Sequence, residues 1–120
     1  MAGILIPGIL VPRYSLYVGA GSYYTQPIAA TSFCRLTLDF WKGNLIGSGA
    51  PAVAVSFQEA IDPTTFQDCV GGPWSVPSGS GESQFVAALS MNWFRFGILL
   101  SGTDAGVTCW AQGFFEHRER

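Results

Sequence analysis

The chain is 120 residues long with a formal net charge of -2, and 48% of its residues are hydrophobic but only 12% charged, about half the usual charged share. Its six basic residues are scattered, which argues against a nucleic-acid binder, whose phosphate contacts need clustered Lys and Arg. So little charge covers an isolated sphere poorly, and part of the apolar surface is expected to meet another protein chain.

No uninterrupted apolar run approaches the roughly 20 residues that cross a bilayer as a helix, so no membrane span is expected. The first basic residue, Arg13, follows the apolar segment 4–11 instead of preceding it, so no secretory signal is expected. Size alone makes one compact core the prior.

Residues 1–13 mix Gly, Pro and aliphatic side chains. Pro7 and Pro12 exclude a long helix, and their missing amide donors exclude a central strand. An extended N-terminal arm is the expectation, lying either across its own domain or on a neighbouring subunit. Residues 14–18 read as a short strand and 19–27 as a Gly, Ser and Tyr loop. Tyr23 and Tyr24 are either displayed there for binding or cap the core edge with their hydroxyls in water.

From residue 31 to 42 the alternation is clean, with Cys34, Leu36, Leu38 and Phe40 on one face and Arg35, Thr37, Asp39 and Trp41 on the other. That is period two, the strand signal. A Gly-rich loop over 43–51 leads to a second strand with Val53, Val55 and Phe57 inward. Asp62-Pro63 starts a turn, a short strand follows to residue 70, and 71–81 is a loop. Residues 82–89 alternate again, with Phe85, Ala87 and Leu89 inward. The runs 93–100 and 107–113, separated by the small residues 101–106, are expected to form a β-hairpin. Residues 117–120 read as a solvated tail.

Short strands between Gly, Pro and Ser turns, with no convincing helix, point to an all-β, antiparallel β-sandwich of jelly-roll or immunoglobulin type. The expected organisation is an arm over 1–13, a single sandwich domain over 14–116 and the tail.

Catalytic patterns are scarce. The single histidine, His117, lies near the end of the sequence, where a base is poorly positioned. Cys34, Cys69 and Cys109 are 35 and 40 positions apart, unlike the short spacings of a zinc site, and are expected to be reduced, buried thiols. The Gly-rich stretches lack the phosphate-cradling Lys-Ser/Thr ending. No enzyme activity, metal, cofactor or small-molecule substrate is expected.

Aromatic surface remains. Trp41 shares a face with Arg35 and Asp39, and Trp93 shares one with Arg95. Such residues anchor protein interfaces or stack on sugar rings. The interface reading also accounts for the low charge and the apolar arm, so the candidate contact residues are Ile4, Leu5, Ile6, Ile9, Leu10, Val11, Tyr23, Tyr24, Trp41, Trp93 and Arg95. The alternative is a carbohydrate-binding β-sandwich module with Trp41, Trp93, or Tyr23 and Tyr24 as its stacking platform.

The segment 55–66 with its acidic turn, the strand Trp93-Phe94-Arg95-Phe96, and the closing run Ser101-Gly102-Thr103-Asp104 through Cys109-Trp110-Ala111-Gln112-Gly113-Phe114 resemble small β-sandwich structural proteins of tailed-bacteriophage virions. Phe66 stands where many of those have Trp. The resemblance implies a non-enzymatic virion component present in several copies. A capsid decoration protein, binding copies of itself and a major capsid protein, fits the short chain; a head-tail neck or tail component is the alternative. Its place would be the virion, after synthesis in the host cytoplasm.

Overall fold

The computed structural model describes residues 5–69, 74–76 and 79–117. Nine strands occur among them, namely β1 (Leu5–Val18), β2 (Gly21–Tyr24), β3 (Ile28–Ala29), β4 (Phe33–Lys42), β5 (Ile46–Ala60), β6 (Gln67–Asp68), β7 (Trp74–Ser75), β8 (Gly81–Ala88) and β9 (Trp93–His117). All their pairings are antiparallel. The architecture is the expected antiparallel β-sandwich.

One strand organises it. The first half of β9 pairs with β5 on one side and with β2 and β3 on the other, while the second half pairs with β4 and β1, and β8 completes that layer beyond β4. β9 therefore runs through both layers and folds one continuous sheet onto itself. The bend lies at 101–105, where Gly102 has φ 117° and Asp104 has φ 51°. A Cβ at Gly102 would approach Pro51 Cα to 2.8 Å, so only glycine fits the left-handed backbone at that crossing.

This corrects the hairpin expected over 93–113. Its two arms do not pair with each other, because both edges of each arm are already occupied by other strands. The small residues in between make a sheet-to-sheet bend, which in sequence looks much like a hairpin turn.

The arm expected over 1–13 is also corrected from Leu5 onward. β1 is hydrogen-bonded to the second half of β9 from Leu5↔Glu116 to Val18↔Gly106, and Val11 is buried in the core of its own subunit. The prolines are tolerated because β1 is an edge strand with one partner among the described residues, and Pro12 sits where its register shifts. Likewise β2 lies inside the expected loop 19–27. His117 belongs to β9 and sets its ring edge-on to Phe33, so the expected tail does not begin there; residues 118–120 lie outside the described residues.

The alternations expected for β4, β5 and β8 hold. Leu36, Leu38 and Phe40 face Val53, Val55, Phe57, Phe94, Phe96 and Ile98 across the core. Phe57 is its hub, with Trp74, Phe85, Phe94 and Phe96 all within 6.2 Å of its ring centre. Burying a ring of this kind contributes roughly 1.5–3 kcal/mol. Cys34 lies beside Glu116 at one end of β4, whereas Cys109 pairs with Lys42 at the other. Eight residues of strand separate them, about 26 Å, so they form no disulfide.

Candidate functional site

Alternation sends every second residue of β1, β9, β4 and β8 to the outside, and the register aligns them in rows. Ile9, Gln112, Asp39 and Gln84 form one row, and Pro7, Phe114, Thr37 and Val86 the next. On the other side of the first row lie Trp110, Trp41 and Glu82. Farther along, Leu16 faces Thr108, and Val18 and Ile46 flank Gly106.

A bulge shapes the centre of this face. Between Val11↔Ala111 and Ser15↔Cys109, three residues of β1 oppose Trp110 alone. Tyr14 there holds φ 60°, a left-handed conformation that costs a non-glycine residue roughly 1–2 kcal/mol. The loop of chain so formed carries Arg13 to 4.5 Å above the Trp110 ring and sets Tyr14 edge-on to Trp41 at 5.6 Å. Trp41 and Trp110 are stacked, 6.3 Å apart and 14° from parallel. Trp110 is consequently only 5% exposed although it points outward. Bulges that re-aim side chains are frequent beside binding sites.

Next to this cluster is a groove of about 700 Å³ lined by Pro7, Ile9, Thr37, Asp39, Gln84, Gln112 and Phe114, with Gly8, Leu38 and Gly113 also contributing. Asp39 Oδ1 is buried and accepts no hydrogen bond from a described residue. The neighbouring Glu82 carboxyl is pushed above its ordinary pKa by a hydrogen bond to Asp39 and by the Asp39 charge, partly opposed by Arg13.

The other outer face is built differently. The Arg95 guanidinium lies between two rings, 3.9 Å from the centre of Tyr24 and 4.3 Å from that of Phe66. Its Nε donates to Gln58 Oε1 at 2.8 Å, and Asp68 Oδ1 accepts from Gln58 and Ser56. Clamped on both sides and hydrogen-bonded at its edge, Arg95 is held in place.

The expected contact residues are thus divided. Trp41 and Ile9 lie on the face of β1, β4 and β8, while Tyr24, Trp93 and Arg95 lie on the opposite one. Tyr23 turns inward and donates its hydroxyl to Val18 and Gly19 carbonyls at 2.8 and 2.6 Å. Ile6 is exposed at the sheet edge, Leu10 packs on the core and Val11 is in it. Ile4 and the side chain of Leu5 lie outside the described residues. Sequence reasoning missed Arg13, Tyr14, Gln84, Trp110, Gln112 and Phe114. The available signal was the even-numbered set 110, 112 and 114, which shares a strand face.

Three further ionisable groups, Cys69, Cys109 and Lys42, are built into the structure. Burial pushes the Cys69 and Cys109 thiols up to about 12, with Glu59 and Asp68 adding to the effect at Cys69. Lys42 is buried, its pKa lowered by desolvation, and its Nζ donates to the Gly79 carbonyl at 2.6 Å. Among the described residues no three His, Cys, Asp or Glu side chains gather as a metal site, and no helix is long and apolar enough to cross a membrane.

No protein-family model matches the sequence, and no curated protein matches it. Solved structures do match in fold. A chain of the infectious bursal disease virus Gt strain superposes with a TM-score of 0.62 at 7% identity, over 96% of this chain and 33% of that one. The infectious bursal disease virus VP2 subviral particle gives 0.60 at 9% identity, over 95% of this chain and 32% of that one. This chain therefore spans about a third of the length of those virus chains. The CBM22-1 xylan-binding domain of Paenibacillus barcinonensis Xyn10C gives 0.51 at 8% identity, over 99% of this chain and 98% of that one. At such identities the likeness establishes a fold shared with a virus-particle chain and with a xylan-binding domain, and nothing finer.

Proposed function

We propose that the chain is a non-enzymatic structural component of a virion, of the bacteriophage capsid-decoration type, working by contact with copies of itself and with a major capsid protein. A head-tail neck or tail position would use the same contacts. The observation that carries this reading is an apolar patch where edge strand β1 and the start of β5 flank β9. Leu16, Val18 and Ile46 lie together around Gly106 and are 60%, 68% and 64% exposed.

A cluster of large aliphatic side chains on a solvated strand is costly unless another surface covers it. Among the described residues, β1 also leaves the amides and carbonyls of its outer edge without a strand partner, which favours addition of a further strand. The virus-particle fold likeness across nearly the whole chain is in keeping with a shell protein.

Light scattering on purified protein tests the proposal. The wild type should be oligomeric, and Leu16→Lys with Val18→Lys should yield a folded monomer. A wild type that stays monomeric at high concentration and does not bind capsids would overturn it.

A further inference from the structure

We propose that the groove between β1, β4, β8 and β9 binds a neutral oligosaccharide, with Gln84, Asp39 and Gln112 supplying its hydrogen bonds and Phe114 its apolar wall. This goes beyond the assembly reading and does not rest on it, because the groove occupies the opposite end of β1 from Leu16 and Val18.

Four observations converge. The volume, about 700 Å³, is within the ordinary range for a small-ligand site. Its polar lining consists of two amides, a carboxylate and the Thr37 hydroxyl, and Gln84, Asp39 and Gln112 are directly cross-strand partners. Amides offer donors and acceptors together, and a carboxylate accepts, which matches the paired donor and acceptor character of sugar hydroxyls.

Phe114 is 49% exposed and two residues from Gln112 along the strand, about 7 Å. Trp41 stands about the same distance from Asp39 on the other side of the polar row, with Tyr14 edge-on to it. Aromatic rings thus flank the hydrogen-bonding row on both sides, and the C–H faces of successive pyranose units would lie against them. Tyr14 keeps its place through a left-handed backbone, and strained residues of this kind cluster at ligand sites.

Charge selects the ligand class. The groove lining contains no Lys or Arg and one carboxylate, with Glu82 close to that carboxylate and Arg13 partly offsetting Glu82 outside the lining. Sulfated, phosphorylated and uronic sugars find no counter-charge in that lining; uncharged ones need none.

The experiment is calorimetric titration and amide-resonance mapping with cellohexaose, mannohexaose and a galactohexaose, and with a heparin hexasaccharide as the anionic comparison. At least one neutral hexasaccharide should bind and shift the resonances of Gln84 and Gln112. Phe114→Ala and Gln112→Ala should each weaken binding about tenfold or more, with the fold and oligomeric state of the wild type retained. Failure of all three neutral sugars to bind, a preference for heparin, or affinity unchanged in both variants would overturn the proposal.

Discussion

The ring of Tyr24 closes over Gly97, so tightly that a Cβ at residue 97 would lie 2.5 Å from a ring carbon. The missing side chain is what lets Tyr24 reach Arg95. Gly97→Ala should displace the ring and destabilise the protein by about 1–3 kcal/mol, the usual effect of overpacking. In a Tyr24→Ala background the same substitution should have much less effect. Chemical denaturation of the two single variants and the double variant measures that coupling, and strict additivity would show that the ring is not what Gly97 accommodates.

Removing residues 1–12 should damage the fold itself. The truncation takes away Val11, buried in the core, and exposes the edge of β9 that pairs with Leu5 through Val11. Val11→Ala alone should cost about 1–3 kcal/mol. Circular dichroism melts check both, and a truncated protein as stable as the full chain would return residues 5–12 to the status of an arm.

Three thiols should react at different rates. Cys109 and Cys69 hold their protons up to about 12 in the native state, against an ordinary value of 9.0, while Cys34 is only half-buried. Alkylation followed by peptide mass mapping should label Cys34 first and the other two only on unfolding. Between about pH 9 and about pH 12 the unfolded chain loses thiol protons that the native chain keeps, so these groups make stability fall as pH rises through that window. The slope is at most about 1.4 kcal/mol per pH unit for each thiol. Tyr17, also raised by burial and by Cys109, acts in the same direction. Urea midpoints at about pH 8 and about pH 10 for wild type and Cys109→Ala check the sign; a midpoint drop that is identical in the two proteins would remove Cys109 from the account.

Glu59 ties the turn between β8 and β9 to β5. Its buried carboxylate accepts from the Ser90 amide at 2.9 Å and the Met91 amide at 3.2 Å. Glu59→Ala strands both donors and should cost about 1–3 kcal/mol, while Glu59→Gln keeps an acceptor and should cost less. Hydrogen exchange at Ser90 and Met91 reads the local effect. Unchanged protection in Glu59→Ala would mean the turn is held by something else.

Much of this architecture was readable along the chain. The strict alternation of Leu36, Leu38 and Phe40 with Arg35, Thr37 and Asp39, and of Val53, Val55 and Phe57 with their neighbours, specifies strands with one buried face, because successive side chains must point to opposite sides. The absence of a helical period and the Gly and Pro punctuation then leave a sandwich. Trp41, too, was legible as an outward aromatic from its place on the face of Arg35, Thr37 and Asp39.

Partnership between distant strands was not legible. Residues 101–106 have the composition of a tight turn, yet whether they turn back or cross between layers depends on which strands occupy the edges of β9, and those strands come from every other part of the chain. The segment 5–12 looks like an arm until β9 supplies hydrogen bonds along one side of it, leaving the prolines on an edge where their missing donors matter little. The groove exists only because Ile9, Asp39, Gln84 and Gln112, from four strands, fall into one register. Period two is a local property that the sequence alone determines; register is a sum over non-local contacts, and only the tertiary structure decides it.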